Sequence, residues 1–268
     1  MPQITLLGSI LPAVARITTK DLPVITWTSA DLDLSMTFTT FIENGKVRIV
    51  CELSDWRRDD HLMPVYMRAL DLVRAAVDLV AFSYGIGLTV VLDGLVDSDG
   101  TPSAFLATQP NLAALSPSVK NASPPASTAD NNFDRVLRVI ATEPVMFRAL
   151  HDLVVAITET HASPIACARA VEGIRHSIAP QLEPKQGWPV LRSALNIDKD
   201  YLGYITDTST GPRHGDPEHI PGYVCLEITR RCWIIMDRFF EYLKAGRQPL
   251  SQAAFPVLND PPPSAPLK

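Results

Sequence analysis

Thr101–Asn132 reads TPSAFLATQPNLAALSPSVKNASPPASTADNN, and the periodicity of the chain differs on its two sides. Ser, Pro, Ala and Asn dominate the stretch, and charge is almost absent. Such a composition cannot bury enough apolar surface to offset its ordering entropy. Residues 101–132 are therefore expected to form a linker, with part of Phe105–Leu115 docking on neighbouring structure.

On the N-terminal side, apolar residues alternate or cluster in short runs: Ile4–Leu7, Ala13–Ile17, Val24–Trp27, Leu34–Phe41 and Val47–Cys51. Leu34, Met36 and Phe38 alternate with polar neighbours, and so do Val47, Ile49 and Cys51; Asn44-Gly45 between the two runs is a hairpin signal. Four or five strands are expected. After Asp59-Asp60 the spacing becomes three and four in Leu62, Tyr66, Ala69, Leu70, Val73, Val77 and Val80. That stripe predicts an amphipathic helix of about five turns lying on the sheet. Gly85 and Gly87 stop it, Leu88–Leu95 forms one more strand, and Asp97-Ser98-Asp99-Gly100 closes the unit with a turn. Residues 1–100 are read as an α+β domain.

On the C-terminal side every segment has a helical period. Phe133, Val136, Leu137 and Ile140 define one helix; after Glu143-Pro144, the residues Phe147, Leu150, Val154 and Ile157 define the next. Ser163-Pro164 is a capped start for Cys167, Val171, Ile174 and Ile178, and Pro180 ends that helix. Trp188-Pro189 opens a short helix to Leu195, and Asp198 caps another through Ile205. The last helix, 222–244, is apolar on both sides and should be central. Residues 133–245 are read as a separate all-α bundle, and 246–268, with its PPPSAP, as a disordered tail. The fold class is thus α+β, a strand-rich unit with one long helix followed by a helical bundle.

The 268 residues are 46% apolar and carry a formal net charge of −5. Residues 1–100 hold 13 acids and 8 bases, so the negative excess lies there and the rest is neutral. No broad basic field exists, and any nucleic-acid site must be local. Cys51, Cys167, Cys225 and Cys232 form no C-x-x-C pair, which argues against zinc ribbons and thioredoxin-type redox chemistry and suits a reducing compartment. The start MPQITLLGSI lacks the features of a secretory signal. The uncharged apolar stretch Leu79–Leu92 is shorter than the ~20 residues that span a bilayer. A cytoplasmic location, with no membrane partner, is the expectation. Walker, G-x-G-x-x-G, G-x-S-x-G and H-E-x-x-H motifs are all missing, so neither a nucleotide cofactor nor a common hydrolase chemistry is expected.

The polar concentration that invites a functional reading is Gly211-Pro212-Arg213-His214-Gly215-Asp216-Pro217-Glu218-His219, just before the last helix. Arg213 and His219 have five residues between them. Arginine steadies developing phosphate charge, and histidine transfers protons near neutrality. Together they would suffice for metal-free RNA cleavage by the neighbouring 2′-hydroxyl.

A helical bundle with Arg-x5-His before its final helix resembles the HEPN superfamily, small all-α domains common in bacterial toxins and antiviral systems, many of which cut RNA as dimers. The likeness covers about 133–243, and His214 matches the polar residue that often follows the family's arginine. It implies RNA as a partner, homodimerisation, no cofactor, and Arg213, His219 and His214 as candidate catalytic residues. The resemblance extends equally to a non-catalytic HEPN-like bundle that binds RNA or pairs with a second copy.

Other readings of the same residues stay open. The loop can be an interhelical connection in which Asp216 starts a turn. His214, Asp216, Glu218 and His219 are metal ligands by type, but their spacing fits no established site, and no metal is expected. Arg57-Arg58-Asp59-Asp60-His61 reads as a solvated turn at a helix start. Arg230-Arg231 is expected to pair with Glu227 and Asp237 on its own helix. His176 beside Arg175 suits a helix C-terminus, and Cys225 and Cys232 are core thiols.

Overall fold

The structure is a computed structural model that describes residues 1–19, 22–29, 32–105, 112, 115, 117, 137–138, 140–216 and 220–261. The chain separates into two compact units, 1–106 and 107–267.

In the first unit, β1 (Gln3–Leu11), β2 (Ile25–Ser29), β3 (Leu34–Glu43), β4 (Lys46–Leu53), β5 (Thr89–Val96) and β6 (Pro102–Ala104) form one sheet in the order β2-β3-β4-β1-β5-β6. Every neighbouring pair is antiparallel. Alternation selects the buried face: Ile4, Leu6 and Ile10 from β1, Leu34, Met36 and Phe38 from β3, and Val47, Ile49, Cys51 and Leu53 from β4. Helix α1 (Arg58–Tyr84) joins this core through Val65, Tyr66, Ala69, Leu70, Val73 and Val77. Its 27 residues make about seven turns rather than five. Asn44 and Gly45 both have positive φ, 50° and 75°, as a tight two-residue hairpin turn requires. Gly85, at φ 63°, ends α1 in the left-handed conformation.

Two expectations for this unit need correction. The run Ala13–Ile17 is not a strand. Pro12 accepts a turn bond from the Ala15 N–H, and the segment crosses the β3–β4 turn, where the Gly45 N–H donates to the Ile17 carbonyl at 2.7 Å and the Thr19 N–H donates to Ile42 at 3.1 Å. The unit also continues past residue 100. The Asp97–Gly100 turn reverses the chain, so Pro102–Ala104 pairs with β5, and the Phe105 ring lies 4.3 Å from that of Tyr66. The linker assigned to 101–132 thus begins later, and apart from Leu112, Leu115 and Pro117 its remainder from 106 onward lies outside the described residues.

The second unit is helical: α2 (Pro144–Thr158), a 3-10 turn (Thr160–Ala162), α3 (Ser163–Ile178), α4 (Pro184–Leu195), α5 (Lys199–Thr208), the single turn α6 (Thr210–Arg213) and α7 (Gly222–Lys244). Of the helix expected over 133–140, Leu137, Arg138 and Ile140 are described and helical; the other positions lie outside the described residues. Asp198 caps α5 by accepting from the Asp200 N–H at 2.7 Å. At α3 the serine acts differently, since the Ser163 hydroxyl donates to the Thr160 carbonyl at 2.7 Å. Helix α4 starts at Pro184, earlier than Trp188-Pro189 suggests, because Pro184 occupies its first turn. Helix α7 is central and buries Cys225, Ile228, Cys232, Ile235, Met236, Phe239 and Phe240.

In α2 the buried apolar residues are Met146, Ala149, Leu153 and Ala156, whereas Phe147 is 66% and Val154 53% exposed. Two apolar stripes one residue apart compete for the core, and the smaller alanine-bearing stripe wins because it allows α3 to approach closely: a Cβ on Gly173 would lie 3.3 Å from Val145 Cγ1.

The tail is ordered from Gly246 to Pro261, against the expectation of disorder. Leu250 is buried, and Phe255 and Leu258 pack on the helical core. Asn196 Nδ2 donates to the carbonyls of Leu250 at 2.8 Å and Phe255 at 3.0 Å. Arg238 donates to the Pro256, Leu195 and Asn196 carbonyls. Three apolar anchors and carbonyl-seeking donors outweigh the proline content. Residues 262–268, including most of PPPSAP, lie outside the described residues.

Candidate functional site

Arg213 closes the short turn α6, where its N–H donates to the Ser209 carbonyl at 3.1 Å. Its guanidinium reaches α3 and pairs with Glu172 at two points, Nη1 to Oε1 at 2.6 Å and Nη2 to Oε2 at 3.5 Å. His214 follows as the C-cap; its N–H donates to the carbonyls of Thr210 and Gly211, and its side chain is exposed. Gly215, at φ 80°, turns the chain, and the Asp216 N–H returns to the Gly211 carbonyl at 3.0 Å. His219 and Glu218 lie outside the described residues, so the expected Arg213–His219 pair has one described member.

Glu172 connects this loop to a cleft between α2 and α3 of about 650 Å³, lined by Arg148, His151, Asp152, Arg169, Glu172 and His176 among others. The spacings 148, 151, 152 and 169, 172, 176 are three and four, so each set occupies one helix face. Four basic side chains and two carboxylates therefore line the cleft, and Arg213 reaches it through its ion pair with Glu172. Asp152 is the buried member and pairs with Arg169 at 2.7 Å. Burial nevertheless pushes its carboxyl above the ordinary value, against the opposing charges of Arg169 and His151.

The sign of that shift predicts a measurable effect. A carboxyl raised on folding binds its proton more tightly in the folded state, so its ionised form costs stability once the pH exceeds the unfolded value. Asp152→Asn should raise the thermal midpoint at neutral pH and leave it unchanged in strong acid. A lower midpoint at pH 7 would mean that the Arg169 pair outweighs burial.

The remaining sequence candidates have structural partners. Arg57 pairs with Asp55 and Asp60, Arg58 with Asp97, and Trp56 Nε1 donates to Asp97 at 2.7 Å, as a charged turn at a helix start requires. Arg230 and Arg231 both pair with Glu227 on their own helix, as expected, and Arg231 is in addition fully buried and donates to the carbonyls of Tyr201, Asp260 and Pro261. His176 lines the cleft. All four cysteines are free and buried, and burial pushes the Cys51 thiol up to about 12. Among the described residues no three His, Cys, Asp or Glu side chains are grouped to hold a metal ion. No helix of the described residues is long and apolar enough to cross a membrane.

Sequence reading missed the cleft. The expected stripe Phe147, Leu150, Val154 and Ile157 leaves Arg148, His151 and Asp152 without a role, whereas in the structure they line the cleft. The run Arg169, Glu172 and His176 on the next helix was the available signal.

Residues 4–106 match the N-terminal domain, and residues 133–244 the C-terminal domain, of a domain of unknown function, DUF8168. The boundary between the two matched regions falls where the two compact units part. No curated protein and no solved structure matches the chain.

Proposed function

We propose that, in a chain whose two units match the two DUF8168 domains, the HEPN-like helical unit binds RNA through its phosphates at the Arg213 rim of the α2–α3 cleft. The observation that carries this reading is the ion pair of Arg213 with Glu172, which makes the loop and the cleft one site. Arg213, Arg148 and Arg169 supply phosphate donors. The net charge of −5 confines binding to this patch, so affinity should depend steeply on salt.

Binding and cleavage of a labelled mixed-sequence single-stranded RNA in EDTA test the reading, using wild-type protein and the Arg213→Ala and His219→Ala variants. Arg213→Ala is expected to weaken binding about tenfold. Metal-independent cutting abolished by both substitutions would extend the function to a ribonuclease, with Arg213 on the scissile phosphate and His219, aided by His214, moving protons.

A second reading, an interaction module that pairs with another copy, is favoured by the exposed Phe147 and Val154 on α2. RNA binding indifferent to Arg213→Ala, with sedimentation that depends on protein concentration, would select it.

A further inference from the structure

The Arg213–Glu172 pair has the geometry of a ligand complex. Two carboxylate oxygens of α3 meet two guanidinium nitrogens of α6, at 2.6 and 3.5 Å. Two non-bridging oxygens of a phosphodiester would present themselves to the same fork. The pair is not buried, its side chains being 40% and 33% exposed, and an exposed pair contributes little to folding. Either side chain can therefore swing away at low cost. Glu172 also faces the cleft that holds Arg148 and Arg169, so a chain of phosphates leaving Arg213 would find further cations there.

We propose that Glu172 is an internal substitute for the ligand phosphate, displaced from Arg213 when RNA binds. This inference rests on the phosphate-binding reading of the site and adds a selectivity to it. A single small anion gains one contact and must break one, so it exchanges with Glu172 at no advantage. A polyanion offsets the displacement through the neighbouring arginines. The site thereby discriminates for phosphate chains by means of its own carboxylate, a form of exclusion built from a competing contact.

The test is the affinity of the full chain for labelled mixed-sequence single-stranded RNA, measured across a salt series for wild type, Glu172→Gln, Arg213→Ala and the double variant. Glutamine keeps the shape and removes the charge. Glu172→Gln is expected to bind about five- to tenfold more tightly than wild type, with a steeper salt dependence, because Arg213 is released to the phosphates. The double variant should fall back to the Arg213→Ala level. Binding by Glu172→Gln equal to or weaker than wild type, while Arg213→Ala still loses affinity, would overturn the proposal and leave the phosphate reading standing, with Glu172 merely positioning Arg213. Wild-type affinity in Arg213→Ala would remove the phosphate reading, and the proposal with it.

Discussion

Arg231→Ala should lower the stability of the helical unit by about 4 kcal/mol, the scale on which removing one partner of a buried charge network destabilises a protein. Arg231 is among the fully buried side chains of α7, and every nitrogen of its guanidinium is engaged. Nε donates to Glu227 at 2.7 Å, Nη1 to the Tyr201 carbonyl at 3.1 Å, and Nη2 to the carbonyls of Asp260 at 3.1 Å and Pro261 at 3.0 Å. The guanidinium also lies 4.6 Å from the Tyr201 ring centre and 4.5 Å from that of Tyr204. Alanine would leave a cavity and three carbonyls without their donor. Lysine, with one nitrogen and no plane, should recover less than half of the loss.

Denaturant unfolding followed by the helical circular-dichroism signal gives the measurement, and an unchanged midpoint would contradict the structural role. The pH dependence supplies a second readout. Burial alone would raise the Glu227 carboxyl, but its hydrogen bonds from Arg230 and Arg231 and their charges hold it below the usual range. A depressed carboxyl contributes stability that is present above the unfolded value and lost as the pH falls through the folded one. The gap between wild type and Arg231→Ala should therefore narrow in acid.

Arg231 also explains why one part of the fold was legible in the sequence and another was not. The helical period of 222–244 and the alternation in β3 and β4 are local signals, and the structure follows them. The tail carries no comparable signal. Its order comes from donors far away in sequence, Asn196, Arg231 and Arg238, each of which seeks main-chain carbonyls that any sequence would provide. Proline content argued for disorder, yet a strap held through its carbonyls loses nothing when proline removes an N–H. The pairing of Arg230-Arg231 with Glu227 is a local i,i+3 and i,i+4 signal, but the burial of Arg231 is not: it depends on two tyrosines and the returning tail.

The candidate site divides in the same way. Arg213 was legible because a polar loop before an apolar helix is a local anomaly. Its partner Glu172 was not, since the contact joins residues 41 apart in sequence. The face of α2 was undetermined for a different reason: Phe147 with Val154 and Met146 with Leu153 are both apolar at helical spacing, and hydrophobicity alone favours neither face. Close packing decided for the stripe that carries the alanines, which brought Arg148 and Asp152 over α3.

The sheet yields the second large effect, at a position that no pattern marks. Gly8 sits in the middle of β1, on the face that carries Ile4, Leu6 and Ile10 into the core. The register with β5 jumps there, from Leu7 opposite Gly94 to Gly8 opposite Leu92, so Asp93 is an extra residue and the strand bulges. The bulge draws the β5 backbone toward Gly8: an added Cβ would stand 2.2 Å from the Val91 carbonyl oxygen and 2.7 Å from Leu92 Cδ2. Backbone cannot yield as a side-chain end can, and β1 is bonded to β4 on its other edge. Gly8→Ala should therefore part β1 from β5 or shift both ladders, at a cost of about 3 kcal/mol, the upper end of overpacking penalties. Gly94→Ala is the matched control, because its added Cβ would meet only the Leu7 side chain, at 3.0 Å. The contact is with the Leu7 Cβ and not with a main-chain oxygen, and a shift of a few tenths of an ångström relieves it, so a loss of about 1 kcal/mol is expected. Hydrogen exchange of the β1 and β5 amides separates the two variants, with protection lost across the pair in Gly8→Ala and retained in Gly94→Ala. Equal protection in both would show that the bulge relaxes freely and that glycine is not required at position 8.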